Sequence, residues 1–232
     1  MCVAVSMGAP ASPGSRPMPR RARLVTQRPR AARGGQMVQL RERRRGARMV
    51  ALGSIDEVRR AVTSCTACAL CEGRTNAVPG RGDARARIML VGEAPGRRED
   101  GLGEPFVGAA GQILDAALAG AGLSRDAVYI TNTVKCRPPR NRVPTDAERE
   151  ACSGYLAAEM ALVAPRIVCI MGNTAYRSLL GGGGITRERG KTVRRGGVDY
   201  FLTVHPAAAI YNRALEGVLG EDMRALARIA AG

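Results

Sequence analysis

The apolar positions of the chain change period several times, and the changes mark out its elements. Arg87-Ile88-Met89-Leu90-Val91, Val128-Tyr129-Ile130-Thr131 and Arg166-Ile167-Val168-Cys169-Ile170-Met171 are short, nearly unbroken apolar runs that predict buried strands. Gly92-Glu93-Ala94-Pro95-Gly96 ends the first of them, because Pro and Gly forbid its continuation. Elsewhere the spacing predicts helices: from the capping residue Ser54 toward Thr63, from Gly111 to about Ala121, and from Asp146 to Val163 behind the cap Thr145. Two more are predicted over Asn173 to Leu180 and residues 219–230. The stretch between Gly96 and Gly111 reads as a polar loop, and Gly190 to Thr203 as a hairpin around Gly196-Gly197 that leads into His205-Pro206.

Strands alternating with helices predict an α/β fold, three-layered α/β/α with a short, mostly parallel central sheet. Ligands of such sheets sit at the carboxyl ends of the strands. The residues just past those ends are Glu93, Asn132, Gly172 and His205, so chemistry is expected there.

Composition adds a polyanionic partner. The 232 residues carry a net charge of +16, with aromatics only 3% of the chain. Residues 1–48 hold twelve Arg against the single acid Glu42, no Phe, Tyr or Trp, and no sustained apolar period. Such a segment buries too little to offset its ordering entropy. It reads either as a basic disordered tail that binds nucleic acid or as an over-extended start, with the true chain beginning near Met49. Residues 49–232 form the globular domain in both cases. No run approaches the eighteen apolar residues a membrane span needs, and no secretory segment opens the chain. The expectation is a soluble cytoplasmic protein without a membrane partner. Seven Cys in that setting point to metal or cluster ligands before disulfides.

Four motifs stand in order: Gly92-Glu93-Ala94-Pro95-Gly96-Arg97-Arg98-Glu99-Asp100, Pro105-Phe106-Val107-Gly108, Tyr129-Ile130-Thr131-Asn132-Thr133-Val134-Lys135-Cys136-Arg137-Pro138-Pro139, and His205-Pro206-Ala207. Read together with the cysteines, they resemble the family-4, iron–sulfur-containing uracil-DNA glycosylases from about Ser54 to the C-terminus. The resemblance implies removal of uracil from DNA by hydrolysis of its N-glycosidic bond, the first step of base excision repair, leaving an abasic site. It also implies a bacterial, nucleoid-associated enzyme acting as a monomer, with a replication clamp as a candidate partner. Two other readings remain in view: the same scaffold acting on deaminated purines, and a non-catalytic iron–sulfur DNA-binding protein.

Cys65 and Cys68 form one pair, and Cys136 and Cys152 a second, more open one. Four thiolates gathered across a long loop suit a cluster or zinc, and the open second pair disfavours zinc. The resemblance implies that these four hold a [4Fe–4S] cluster, which would staple the N-terminal helix to the loop after the second strand. Cys71 departs from the four-ligand pattern, and Cys169, within an apolar strand, reads as core.

Base excision requires the nucleotide to be flipped out and read by stacking and along its hydrogen-bonding edge. By resemblance, Phe106 stacks on the base, and Asn132, whose amide offers donor and acceptor, reads the uracil edge. His205, the only His, is placed against uracil O2, where a neutral imidazole suffices as donor. Ala94 stands where better-known uracil glycosylases carry a water-activating Asp, an absence the family-4 enzymes share. Glu93 is then the candidate for orienting water or balancing the sugar's charge, and Glu99 for shaping the pocket near uracil C5. Asn141 matches a further substrate-binding position. Around it, Lys135, Arg137, Arg140 and Arg142 read as a phosphate-binding loop, and the helix opening at Gly108 to Gly111 as a second phosphate site. After His205-Pro206, Ile210 is a candidate wedge for the duplex, and Arg213 a candidate for the family's Arg.

Overall fold

Strands β2 (Ile88–Gly92), β3 (Tyr129–Asn132) and β4 (Ile167–Met171) are buried along their whole length, and β6 (Val198–Thr203) over its last four residues. The computed structural model describes residues 52–232, so the segment 1–48 and its boundary at Met49 lie outside the described residues. Strands covered on both faces need apolar side chains at successive positions, which is why these segments are unbroken runs rather than alternating ones. They pair in parallel in the order β3-β2-β4-β6. Antiparallel edge strands, β1 (Arg81–Gly82) against β3 and β5 (Thr192–Arg195) against β6, complete six strands.

The two-residue period of the strands divides the core into two layers. Ile88, Leu90, Ile167, Cys169 and Phe201 pack with Leu114 and Leu118 of α3 (Ala109–Gly120) and with Leu219, Met223 and Leu226 of α8 (Ala214–Ala231). Met89, Val91, Val168, Ile170 and Leu202 pack on the other face with Ile55 of α1 (Ile55–Thr63), Leu156 of α4 (Asp146–Val163) and Ala175 of α5 (Asn173–Leu180). The expected three-layer architecture is therefore present, and Cys169 is the fully buried core residue it was read to be.

The predicted caps are in place. Ser54 Oγ accepts from Glu57 N–H, and Thr145 and Glu148 cap each other's backbone at the start of α4. Gly196 and Gly197 both take positive φ, as the tight turn between β5 and β6 demands. Three short helices depart from the expectation: α2 (Arg97–Leu102) within the stretch read as loop, α6 (Ile185–Glu188), and α7 (Pro206–Tyr211) directly after His205. The last helix also begins earlier than predicted.

Candidate active site

A cleft of about 540 Å³ opens at the carboxyl ends of β2, β3 and β6, within the usual size range of a small-molecule pocket. Glu93, Ala94, Glu99, Phe106, Asn132, Asn141 and His205 all line it. Residues spread over 113 positions of sequence are thus brought to one place by the parallel sheet.

Two buried polar atoms in the cleft have no hydrogen-bond partner among the described residues: Asn132 Oδ1 and His205 Nε2. Buried polar groups are nearly always paired, so two orphans sharing a cleft mark a surface made for a polar ligand. His205 caps α7, its Nδ1 accepting the backbone N–H of Ala207 at 3.1 Å. An Nδ1 that accepts leaves the proton of a neutral ring on Nε2, which makes the unpartnered atom a donor. Burial drives the His205 pKa down to about 4, against a smaller opposing pull from Glu99, so the ring is neutral at physiological pH.

Phe106 is 5% exposed, packs into the core, and faces the His205 ring at a centroid distance of 5.8 Å. It is both core residue and cleft wall. Its φ of +53° lies in the left-handed region that a bulky residue rarely adopts. Glu99 holds that turn: Oε1 accepts from Val107 and Gly108 N–H at 2.9 and 2.7 Å, and Oε2 from Gly96 N–H at 3.1 Å. Glu99 is therefore not a solvated loop acid; it is buried and braces two loops of the cleft.

Glu93 is half-buried, and Thr174 Oγ1, in the first turn of α5, donates to its Oε2. Sequence reasoning did not single out Thr174, whose threonine signal is indistinguishable from ordinary helix-start chemistry. Asn141 is exposed at a left-handed turn, and its Oδ1 accepts from Arg137 Nε at 2.7 Å.

The phosphate-binding expectations need correction. Lys135 does not belong to the basic loop; it is buried and ion-paired to Glu159 at 2.6 Å. Arg142 faces the cleft but is paired in fork geometry with Glu148, and Arg97 and Arg98 of α2 supply cationic rim instead. Gly108 N–H, expected to be free for a phosphate, is engaged by Glu99. Ile210 is exposed on the rim as expected of a wedge, and beside it Tyr211, not anticipated, is 91% exposed. Arg213 is not among the residues lining the cleft.

Cys65 and Cys68 follow α1, Cys136 lies in the loop after β3 and Cys152 in α4; Cys136 and Cys152 join one apolar cluster and Cys68 packs against it. All the described cysteines are free thiols. Burial pushes the Cys152 thiol up to about 12, and raises Cys136 against the lowering influence of Arg74. Donors surround the sulfurs: Arg74 Nη1 lies 3.1 Å from Cys136 Sγ, Lys135 N–H 3.4 Å from Cys152 Sγ, and Ala67 N–H 3.4 Å from Cys65 Sγ. No three His, Cys, Asp or Glu side chains converge as a single-ion site among the described residues. Thiols with nitrogen donors beside three of the four sulfurs and an apolar surround are a lining that an iron–sulfur group fits.

The uracil DNA glycosylase superfamily profile matches residues 79–226. The chain is 42% identical over 189 residues to a type-4 uracil-DNA glycosylase of Sulfurisphaera tokodaii, covering 77% of this chain and 86% of that protein. It is likewise 42% identical over 185 residues to the type-4 enzyme of Archaeoglobus fulgidus (76% and 93% covered) and 43% identical over 158 residues to that of Thermotoga maritima (67% and 82% covered).

Proposed function

The chain belongs to the uracil-DNA glycosylase superfamily, and on that premise we propose that the cleft at the strand ends is where it excises uracil from DNA. The reaction is hydrolysis of the N-glycosyl bond between uracil and deoxyribose, leaving an abasic site. The observation that carries the assignment is the pair of unpartnered buried atoms, an amide oxygen on Asn132 and an imidazole N–H on His205, beside the Phe106 ring.

In this reading the flipped base stacks on Phe106. Asn132 accepts from uracil N3–H through Oδ1 and donates to O4 through its amide nitrogen, a pattern cytosine does not match. As the C1′–N1 bond breaks, its electron pair enters the base and charge grows on O2. The Nε2–H of His205 stabilises that charge most in the transition state, without surrendering its proton. Water adds to C1′, and the proton it releases neutralises the uracil anion, so that the abasic sugar and uracil are the products. Glu93, one oxygen of which is held by Thr174, orients that water and balances the positive sugar. Glu99 acts through the backbone it braces, shaping the Phe106 side of the pocket, while Ala94 leaves the base room. Arg97, Arg98 and the Asn141 turn meet phosphates.

We assign Cys65, Cys68, Cys136 and Cys152 to a [4Fe–4S] cluster. Bound there, it would join α1 to the loop after β3 and to α4. Support comes from the gathered thiols and from Arg74, whose guanidinium favours a thiolate on Cys136. Action as a monomer is implied by the resemblance alone. No helix among the described residues is long and apolar enough to cross a membrane. A replication-clamp contact and a nucleoid location are implied by the resemblance alone.

The test is alkali-revealed cleavage of a single-uracil oligonucleotide by wild type, His205→Ala and Asn132→Ala. Wild type should leave abasic sites, and each variant should lose at least about tenfold in kcat/KM. Variants as active as wild type would remove the cleft from the mechanism.

A further inference from the structure

Behind the cleft lies an ion pair that the chemistry above does not use. Lys135 and Glu159 side chains are 2% and 0% exposed, and every polar atom of the pair is engaged. Lys135 Nζ donates to Glu159 Oε2 at 2.6 Å, to Thr131 Oγ1 at 2.6 Å and to the main-chain carbonyl of Asn132 at 2.8 Å, which uses all three of its protons. Glu159 Oε2 also accepts from Thr131 Oγ1, while Oε1 accepts from Gly80 N–H at 2.9 Å and from the Tyr129 hydroxyl.

Burying two charges is expensive, and a well-packed apolar pair of the same volume generally stabilises a fold at least as well. Stability alone therefore does not account for this network. Its position offers a reason. Asn132 ends β3, and its carbonyl stands where the strand passes into the loop, just before the Thr133 N–H that bonds Gly92 O at 3.0 Å. Lys135 reaches back over that turn and ties the carbonyl to α4.

We propose that the Lys135–Glu159 pair, bridged by Thr131, is the device that positions the base-reading amide of Asn132. Lys135 and Glu159 are positioning residues: Lys135 holds the backbone carbonyl of the reader, Glu159 acts through Lys135 and Thr131, and neither lines the cleft. The pair fixes where β3 stops and so where the Asn132 side chain departs. It also makes the placement of Asn132 depend on α4, the helix that carries Cys152. The inference rests on Asn132 being the uracil reader.

The experiment measures binding of free uracil, kcat and KM on uracil-containing DNA, and thermal melting, for Lys135→Met, the double variant Lys135→Met/Glu159→Leu, and each in an Asn132→Ala background. Lys135→Met leaves an unpaired buried carboxylate and should melt well below wild type. The double variant should recover the melting temperature yet bind uracil about tenfold more weakly than wild type. In the Asn132→Ala background the same double change should cost almost nothing further, because its route to the base is already cut. Should the double variant fail to fold, Thr131→Val, which keeps both charges and the volume, carries the test with a several-fold loss of uracil affinity expected. A stable double variant, or a folded Thr131→Val, with wild-type uracil affinity would overturn the proposal, as would a loss that persists undiminished in the Asn132→Ala background. An Asn132→Ala enzyme that is itself unimpaired would instead remove the reading on which the proposal stands.

Discussion

Gly92 and Asn132 end neighbouring parallel strands in register, and the missing side chain of the glycine makes room for the amide of the asparagine. A Cβ on Gly92 would lie 2.6 Å from Asn132 Oδ1 and 2.5 Å from Phe106 Cζ. Both atoms are side-chain tips of cleft residues, so making room for the new methyl group swings the amide and the ring out of the base site. Gly92→Ala should therefore lower kcat/KM by about a hundredfold, the scale of an ångström misplacement at a reactive centre. Thermal melting should fall only modestly, because the strand is otherwise intact. Near-normal turnover by Gly92→Ala would mean that the amide and the ring do not occupy the base site together.

The state of His205 gives a pH signature. Its folded pKa, about 4, lies below the ordinary value of 6.5 because burial disfavours the charged ring. Between those values the unfolded chain binds a proton that the folded chain refuses. The stability from a neutral His205 is thus complete above about pH 6.5 and is lost as pH falls through about 4. As the only His in the chain, it gives a single imidazole signal by NMR. That signal should hold its neutral position from about pH 8 to about pH 5.5. Single-turnover excision should likewise show no acid limb near pH 6.5 attributable to it. A midpoint between about pH 6 and 7 would mean an exposed ring and a different donor.

Much of this site could be read from residue order, because strand ends are legible as apolar runs stopped by Gly, Asn or His-Pro. Glu93, Asn132 and His205 stand at such ends in the sequence. What escaped is what depends on long-range partners. Lys135 sits in a run of basic residues and reads as solvent-facing charge; only the fold brings Glu159, 24 positions on, against it. The helix Arg97–Leu102 has no apolar period and is held by Glu99 and by Asp100, which accepts from Thr75 and Asn76 N–H. The helix after His205 did carry a local sign, Pro206 at its first position.

Phe106 joins two requirements that one substitution separates. Its left-handed backbone favours glycine, whereas its ring closes the core and faces the base site. Phe106→Leu keeps an apolar side chain on that turn and removes the flat π-face. Free-uracil affinity should fall by about 1–3 kcal/mol, the usual worth of an aromatic stacked on a base. Phe106→Gly should lose the same affinity and melt lower still, the opened cavity outweighing the relief at φ. Equal uracil binding by wild type and Phe106→Leu would assign the ring to packing alone.

The five thiols near α1 are not equivalent, and their surroundings predict which of them hold iron. Cys136 and Cys152 lie in the apolar cluster with Cys68 packed against it, and Cys65 Sγ has the Ala67 N–H at 3.4 Å, whereas Cys71 is in neither set. Cys71 closes a short turn by donating its backbone N–H to Cys68 O, a role that needs no sulfur. Cys71→Ser should therefore retain the iron content and visible absorbance of wild type. Cys65→Ser, Cys68→Ser, Cys136→Ser and Cys152→Ser should each lose both and melt at lower temperature, since a bound group that joins three elements adds its binding free energy to folding. Arg74→Ala should fall between these classes, keeping four sulfurs but lacking the 3.1 Å donor to Cys136. Iron lost from Cys71→Ser but kept in Cys65→Ser would exchange those two ligands. Iron absent from wild type expressed and purified without oxygen would remove the cluster from this fold.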